Sequence, residues 1–135
     1  MDSEMLYLNG EFMPLSEGRI GVEERGFQLG DGVYEVIKVM NGHLVWLEDH
    51  LTRLVRNLGE LSLAHALSGH DLGAVLPELV VGSRVDHGMV YVQITRGYAP
   101  REFVFPRPPH PTVVAYARSK PAPTAEEILA GTTLH

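Results

Sequence analysis

Two Asn-Gly pairs, Asn9-Gly10 and Asn41-Gly42, constrain this chain more than any other feature, because each sits between two short apolar runs. Asn-Gly favours the two-residue type I′ turn, whose positive φ at both positions matches the twist of the antiparallel strands it joins. Tyr7-Leu8 with Glu11 to Met13 is therefore predicted as one hairpin, and Val33 to Met40 with His43 to Trp46 as a second. In the second, alternation puts Val33, Glu35, Ile37 and Val39 on one face and Tyr34, Val36, Lys38 and Met40 on the other. Both faces are largely apolar. A central strand, covered on both sides, is expected, with Glu35 or Lys38 needing a partner or a wet pocket.

Between Leu47 and about Leu58 the period changes. Leu47, Leu51, Leu54, Val55 and Leu58 recur at helical spacing, Glu48-Asp49 suit a helix's positive first turn, and Gly59 is the expected terminator. Arg53 lies off that stripe beside Asp49, Arg56 and Asn57, free to reach toward a ligand. A second helix is expected from about Asp71 to Val81 despite Pro77. Two strands, Met89 to Thr95 and Thr112 to Tyr116, frame a proline-rich loop from Ala99 to Pro111 that carries Arg101. The sum is an α+β domain: a mostly antiparallel sheet of hairpins packed against two helices.

Composition narrows the function. At 135 residues, 44% hydrophobic and 21% charged, the chain is long enough to bury one core. Seventeen acidic against 11 basic side chains give a net charge of −6, which argues against a nucleic-acid or anionic-membrane surface. There is no cysteine, hence no disulfide or thiolate site, as suits a reducing cytosol. No apolar stretch is long enough to span a bilayer and the amino terminus lacks a basic start, so a soluble, cytoplasmic protein is expected. The seven histidines show neither His-x-His nor His-Glu-x-x-His spacing, and no metal site is expected.

The segment Arg25 to Val39, Arg-Gly-Phe-Gln-Leu-Gly-Asp-Gly-Val-Tyr-Glu-Val-Ile-Lys-Val, runs from a glycine-punctuated polar loop into an apolar strand. Gly26, Gly30 and Gly32 permit angles and close approaches that would let the loop fold beside a small molecule, with Tyr34 at its rim. This stretch closely resembles class IV pyridoxal-phosphate-dependent aminotransferases, the D-amino-acid aminotransferase branch in particular. The resemblance continues through Asn41-Gly42, Glu48-Asp49-His50-Leu51-Thr52-Arg53-Leu54, Ile94-Thr95-Arg96-Gly97 and Pro100-Arg101, ending near Ala117.

That resemblance implies pyridoxal 5′-phosphate as cofactor, an amino acid and a 2-oxo acid as substrates, and a homodimer. It implies cofactor-phosphate binding by Arg53, which by pattern alone is a solvated helix charge. It implies substrate contact by Tyr34, by pattern alone an aromatic core residue, and leaves Glu35, on the other side of the strand, a structural role. Arg101 is similar to the arginine that recognises the substrate carboxylate across the family dimer, although by position alone it is a loop charge paired with Glu102. Two residues on, where the family usually has a histidine, this chain has Phe103, so the pocket it shapes has lost a donor and is more apolar.

Transamination needs a lysine that holds the cofactor and shuttles a proton. The chain has only Lys38 and Lys120, and neither matches the family's. No catalytic residue is assigned here. The resemblance implies a small amino-terminal domain over 1–118, with 119–135 as a linker and the start of a further domain bearing the lysine, and it implies that the chain alone lacks turnover. The rivals are a branched-chain aminotransferase, an aminodeoxychorismate lyase, or a non-catalytic binding or dimerisation module. The reading requires Arg53 and Tyr34 to point into one shared cleft.

Overall fold

Both Asn-Gly turns form as the sequence demands, with φ of 51° and 104° at Asn9-Gly10 and 51° and 72° at Asn41-Gly42. The computed structural model describes residues 4–133. The first turn joins β1 (Met5–Leu8) to β2 (Glu11–Pro14), and the second joins β3 (Gly32–Met40) to β4 (His43–Leu44). With β5 (Gly88–Thr95) and β6 (Thr112–Ser119) they make a six-stranded sheet, ordered β2-β1-β6-β5-β3-β4, in which every pairing is antiparallel.

The two expected helices are present. α2 (Leu47–Glu60) packs on β3 and α3 (Leu72–Gly82) on β1 and β6, all on one side of the sheet. Asp71 caps α3 by accepting from the Ala74 amide at 3.2 Å, and Pro77 falls on the solvent side. Leu54, Leu58, Leu76 and Leu79 meet Ile37, Val90, Val92, Ile94 and Val113 in a core where all nine are fully buried. Each such side chain contributes about 1.5–3 kcal/mol.

Several expectations are corrected. Gly59 does not end α2 but lies within its last turn; the left-handed residue beyond the helix is Ser62. Val55 is half exposed and leaves the apolar stripe. The second hairpin's return strand stops at Leu44, because Trp46 turns left-handed (φ 53°) and feeds the chain into α2. The supposed polar loop contains a short helix, α1 (Arg25–Leu29); after β6 the chain forms a further short helix, α4 (Ala125–Ala130), opened by a Thr124/Glu127 capping box.

The largest correction concerns β3. It is one strand in from the edge, and only one face is covered: Glu35, Ile37 and Val39 are buried, while Tyr34, Val36, Lys38 and Met40 are exposed. Both helices pack on the same side of the sheet; on the other side the segment around Gly18 and Gly26 lies over Leu6 and Thr95, while the middle of β3 stays open. That open face carries a row of tyrosines. Tyr34 stacks on Tyr91 with ring centroids 5.8 Å apart, and Tyr91 meets Tyr116 at 5.4 Å.

Candidate functional site

Arg53 is held from the strand beneath it. Glu35, nearly buried on the helix-facing side of β3, accepts from Nε and Nη2 of Arg53, each at 2.6 Å, and its Oε2 lies 2.8 Å from Nδ1 of His50. His50 and Arg53 are three residues apart on α2 and so share the helix face above β3. The hydrogen bonds and charge of Arg53 pull the Glu35 carboxyl below its ordinary value, with help from His50 and against the effect of burial. Arg53, in turn, is held charged.

Two of the guanidinium's donors are therefore committed to Glu35, in a paired geometry that fixes its plane. The side chain is nonetheless 54% exposed. Its remaining donors border a shallow pocket lined by Trp46, Asp49, His50 and Arg53. The structural role expected for Glu35 is thus specific: it orients the arginine rather than simply filling the sheet.

Tyr34 stands on the other face of β3, 62% exposed, with the Tyr91 ring against it. Of five pockets found among the described residues, none is lined by both Tyr34 and Arg53. The shared cleft that the sequence reading required is not formed among the described residues, where the two side chains lie on opposite faces of β3. The alternation of a flat strand is the reason, since neighbours 34 and 35 must point to opposite faces. What the two do share is a strand edge: β4 pairs with β3 only at Val39 and Met40, and no strand among the described residues pairs with the outer edge from Gly32 to Ile37.

Arg101 and Phe103 lie on the loop between β5 and β6. Arg101 makes no ion pair with Glu102 among the described contacts; its guanidinium lies over the Phe103 ring, 5.6 Å from the centroid. Phe103 is 83% exposed and, with Phe105, borders a pocket of about 420 Å³ against Arg25, Asp31 and Leu61.

Beneath that loop is a charged cluster that the sequence reading did not single out. Asp31 accepts from Nε of Arg25 at 2.8 Å and from Nε of Arg96 at 2.9 Å, and both arginines are almost fully buried. Burial pushes the Asp31 carboxyl up, but the combined hydrogen bonds and charges of Arg96 and Arg25 outweigh it and hold the group below its ordinary value. The signal available in the sequence was that Arg25, Asp31 and Arg96 all stand in the motif segments Arg25 to Val39 and Ile94 to Gly97, although nothing in their spacing pairs them. Next to it, the buried Glu24 carboxylate accepts from the Phe27 amide and from the Thr95 hydroxyl.

The glycines of this segment serve the fold. A Cβ on Gly32 would lie 2.6 Å from the Ile94 carbonyl oxygen and one on Gly26 2.3 Å from a Thr95 methyl, so both fit α1 and β3 against β5. Gly30 closes α1 in the left-handed region at φ 64°. The close approaches made by Gly26 and Gly32 are to the chain itself.

Lys38 is exposed on the open face, and Lys120 follows β6. They border one pocket of about 410 Å³ together with His87, Met40 and Pro121. Among the described residues no group of three His, Asp or Glu side chains is placed to hold a metal ion, and no helix is long and apolar enough to cross a membrane.

The model of the amino-transferase class IV family matches residues 32–134. The D-alanine aminotransferase of Staphylococcus aureus (strain MSSA476) is 38% identical over 121 residues, which is 89% of this chain and 43% of that protein. The D-alanine aminotransferase of Bacillus licheniformis is 40% identical over 120 residues, 88% of this chain and 42% of that protein. The chain thus spans less than half the length of these relatives.

Among solved structures, the branched-chain amino acid aminotransferase of Escherichia coli superposes with a TM-score of 0.79 at 16% identity, over 87% of this chain and 41% of that one. The 4-amino-4-deoxychorismate lyase of Pseudomonas aeruginosa does so with a TM-score of 0.67 at 23% identity, over 93% and 44%. At these identities the two structures speak for the fold alone.

Proposed function

The chain belongs to the class IV aminotransferase family, and from that premise we propose that its protein uses pyridoxal 5′-phosphate to transfer the amino group of a D-alanine-like D-amino acid to a 2-oxo acid. The names of the relatives at 38% and 40% identity support the D-amino-acid branch. The cofactor is supported by the family and by the similarity of the fold to a hypothetical aminotransferase from Mycobacterium tuberculosis in a PLP-bound form, with a TM-score of 0.66 at 20% identity over 93% of this chain and 42% of that one.

The observation that carries the site is the fixed guanidinium of Arg53. Glu35 sets its plane from the buried side and leaves the outer donors exposed, a donor set suited to a phosphate ester. When bound, the cofactor supplies the carbonyl carbon that takes up the amino group and the ring that disperses charge. The chain's own residues bind and orient. Arg53 holds phosphate, and the Tyr34 hydroxyl donates to the substrate carboxylate. A ligand straddling the unpaired edge of β3 reaches Tyr34 on one face and Arg53 on the other. Arg101, supplied by the second subunit of a homodimer, grips the same carboxylate, and Phe103 lends an apolar wall. The lysine that anchors the cofactor lies outside these 135 residues, which by themselves do not turn over.

The test is a donor screen on the full-length protein, with D-alanine, D-glutamate and L-leucine against 2-oxoglutarate. D-amino-acid turnover is expected, with KM for the donor raised roughly tenfold by Tyr34→Phe, the loss of one hydrogen bond to a charged group. Turnover of L-leucine alone would indicate branched-chain chemistry, pyruvate release from aminodeoxychorismate a lyase, and no turnover with no cofactor absorbance a non-catalytic module. Borohydride reduction that maps the cofactor to Lys38 or Lys120 would overturn the site.

A further inference from the structure

Arg25 and Arg96 are only 3% and 4% exposed, and they share the single carboxylate of Asp31. Two guanidiniums offer more N–H donors than the one Asp31 carboxylate accepts, and buried donors need further acceptors. The structure supplies them from loops. Arg96 Nη2 donates to the Leu61 carbonyl at 2.9 Å, and Arg25 Nη1 to the Glu102 carbonyl at 2.7 Å. The Phe105 ring completes the set, its centroid 3.6 Å from the guanidinium carbon of Arg96 and 5.9 Å from that of Arg25.

The loop being gripped is the one that carries Arg101 and Phe103. Between β5 and β6 it has no regular secondary structure beyond the bridges of Tyr98 to Glu24 and of His110 to Gly97 near its two ends. Among the described hydrogen bonds and ring contacts, its middle touches the body of the domain at the Glu102 carbonyl and the Phe105 ring. These two points bracket Phe103, and the first immediately follows Arg101.

We propose that Arg25, Arg96 and Phe105 form a clamp that fixes the β5–β6 loop, making them positioning residues that hold Arg101 and Phe103 in place for substrate selection. A loop of this length left free would dilute one guanidinium over many positions, whereas a loop fixed at two points holds it in one. The clamp rests on the reading of Arg101 as a carboxylate grip, yet its physical half can be tested separately.

Phe105 is the lever, since it is half exposed, whereas loss of Arg25 or Arg96 would strand a buried charge and unfold the domain. Hydrogen exchange of the full-length protein is read at the amides of 101–105 and 107. Phe105→Ala is expected to speed exchange there about tenfold or more, with β3 and β5 unchanged, and Phe105→Trp to restore it. KM for the amino donor should rise about tenfold in Phe105→Ala, with kcat within about twofold, and return in Phe105→Trp.

Unchanged loop exchange in Phe105→Ala overturns the clamp, as does faster exchange spread through β3 and β5. Faster loop exchange with an unmoved KM, where Arg101→Ala does raise KM, overturns the positioning role. An unmoved KM in Arg101→Ala overturns instead the assignment of Arg101 as the carboxylate grip, and the exchange data still decide the clamp.

Discussion

Glu35, on the buried face of β3, takes both Nε and Nη2 of Arg53 at 2.6 Å, although Arg53 itself is half in water. A carboxylate almost fully removed from solvent is thereby satisfied by a side chain that keeps its outer edge free. Removing either partner has different consequences, which makes the pair informative.

Glu35→Gln keeps the shape but loses the charge that fixes the guanidinium plane. In the full-length protein its affinity for pyridoxal 5′-phosphate is expected to fall about tenfold, and that of Arg53→Ala further. Absorbance titration with pyridoxal 5′-phosphate, compared with unphosphorylated pyridoxal, isolates the phosphate grip: both variants should lose the preference for the phosphorylated form. An undiminished preference in Arg53→Ala removes Arg53 from the cofactor site.

Acid should weaken the domain in a defined window. Glu35 and Asp31 are held below their ordinary values of 4.5 and 3.8 in the folded protein. As pH falls the unfolded chain therefore binds protons first. Their stabilising contribution is complete above the ordinary values and is lost as pH drops through them toward the lower folded ones. Urea midpoints are expected to be flat with respect to these groups above about pH 5 and to fall below it, with a shallower fall in Glu35→Gln. An equal slope in that variant would show that Glu35 has no part in the acid sensitivity.

Two glycines should respond to alanine with opposite signs. A Cβ at Gly32 would meet the backbone carbonyl oxygen of Ile94 at 2.6 Å, an atom held in the sheet, and Gly32→Ala is expected to cost about 1–3 kcal/mol. Gly59 has no atom within 4 Å of its would-be Cβ and lies inside α2. Gly59→Ala should stabilise by about 0.5 kcal/mol. Thermal unfolding of the two variants decides both.

The core can be checked against an exposed apolar residue on the neighbouring helix. Leu76, fully buried on α3, should lose about 2–5 kcal/mol as Leu76→Ala. Val55, half exposed on α2, should change by less than about 0.5 kcal/mol as Val55→Ala. A large loss at Val55 would mean that the solvent side of α2 is covered by something outside the described residues.

The sequence alone determined the local geometry and the family. Asn-Gly can enter the type I′ turn because glycine and asparagine tolerate positive φ, so both hairpins were legible without any tertiary information. The spacing of Leu47, Leu51, Leu54 and Leu58 likewise determined α2, and the motif through Tyr34, Arg53 and Arg101 carried the family. These signals are short-range: they depend on neighbours in the chain.

Only the tertiary structure decided which face of β3 is covered, because a strand apolar on both faces does not say where the helices will pack. It alone paired Glu35 with Arg53 and His50, brought Arg25, Asp31 and Arg96 together across 65 positions of chain between Asp31 and Arg96, and seated Phe105 on them. Desolvated charges find their partners wherever packing brings them close. That distance is set in space by the sheet order and has no counterpart in sequence spacing.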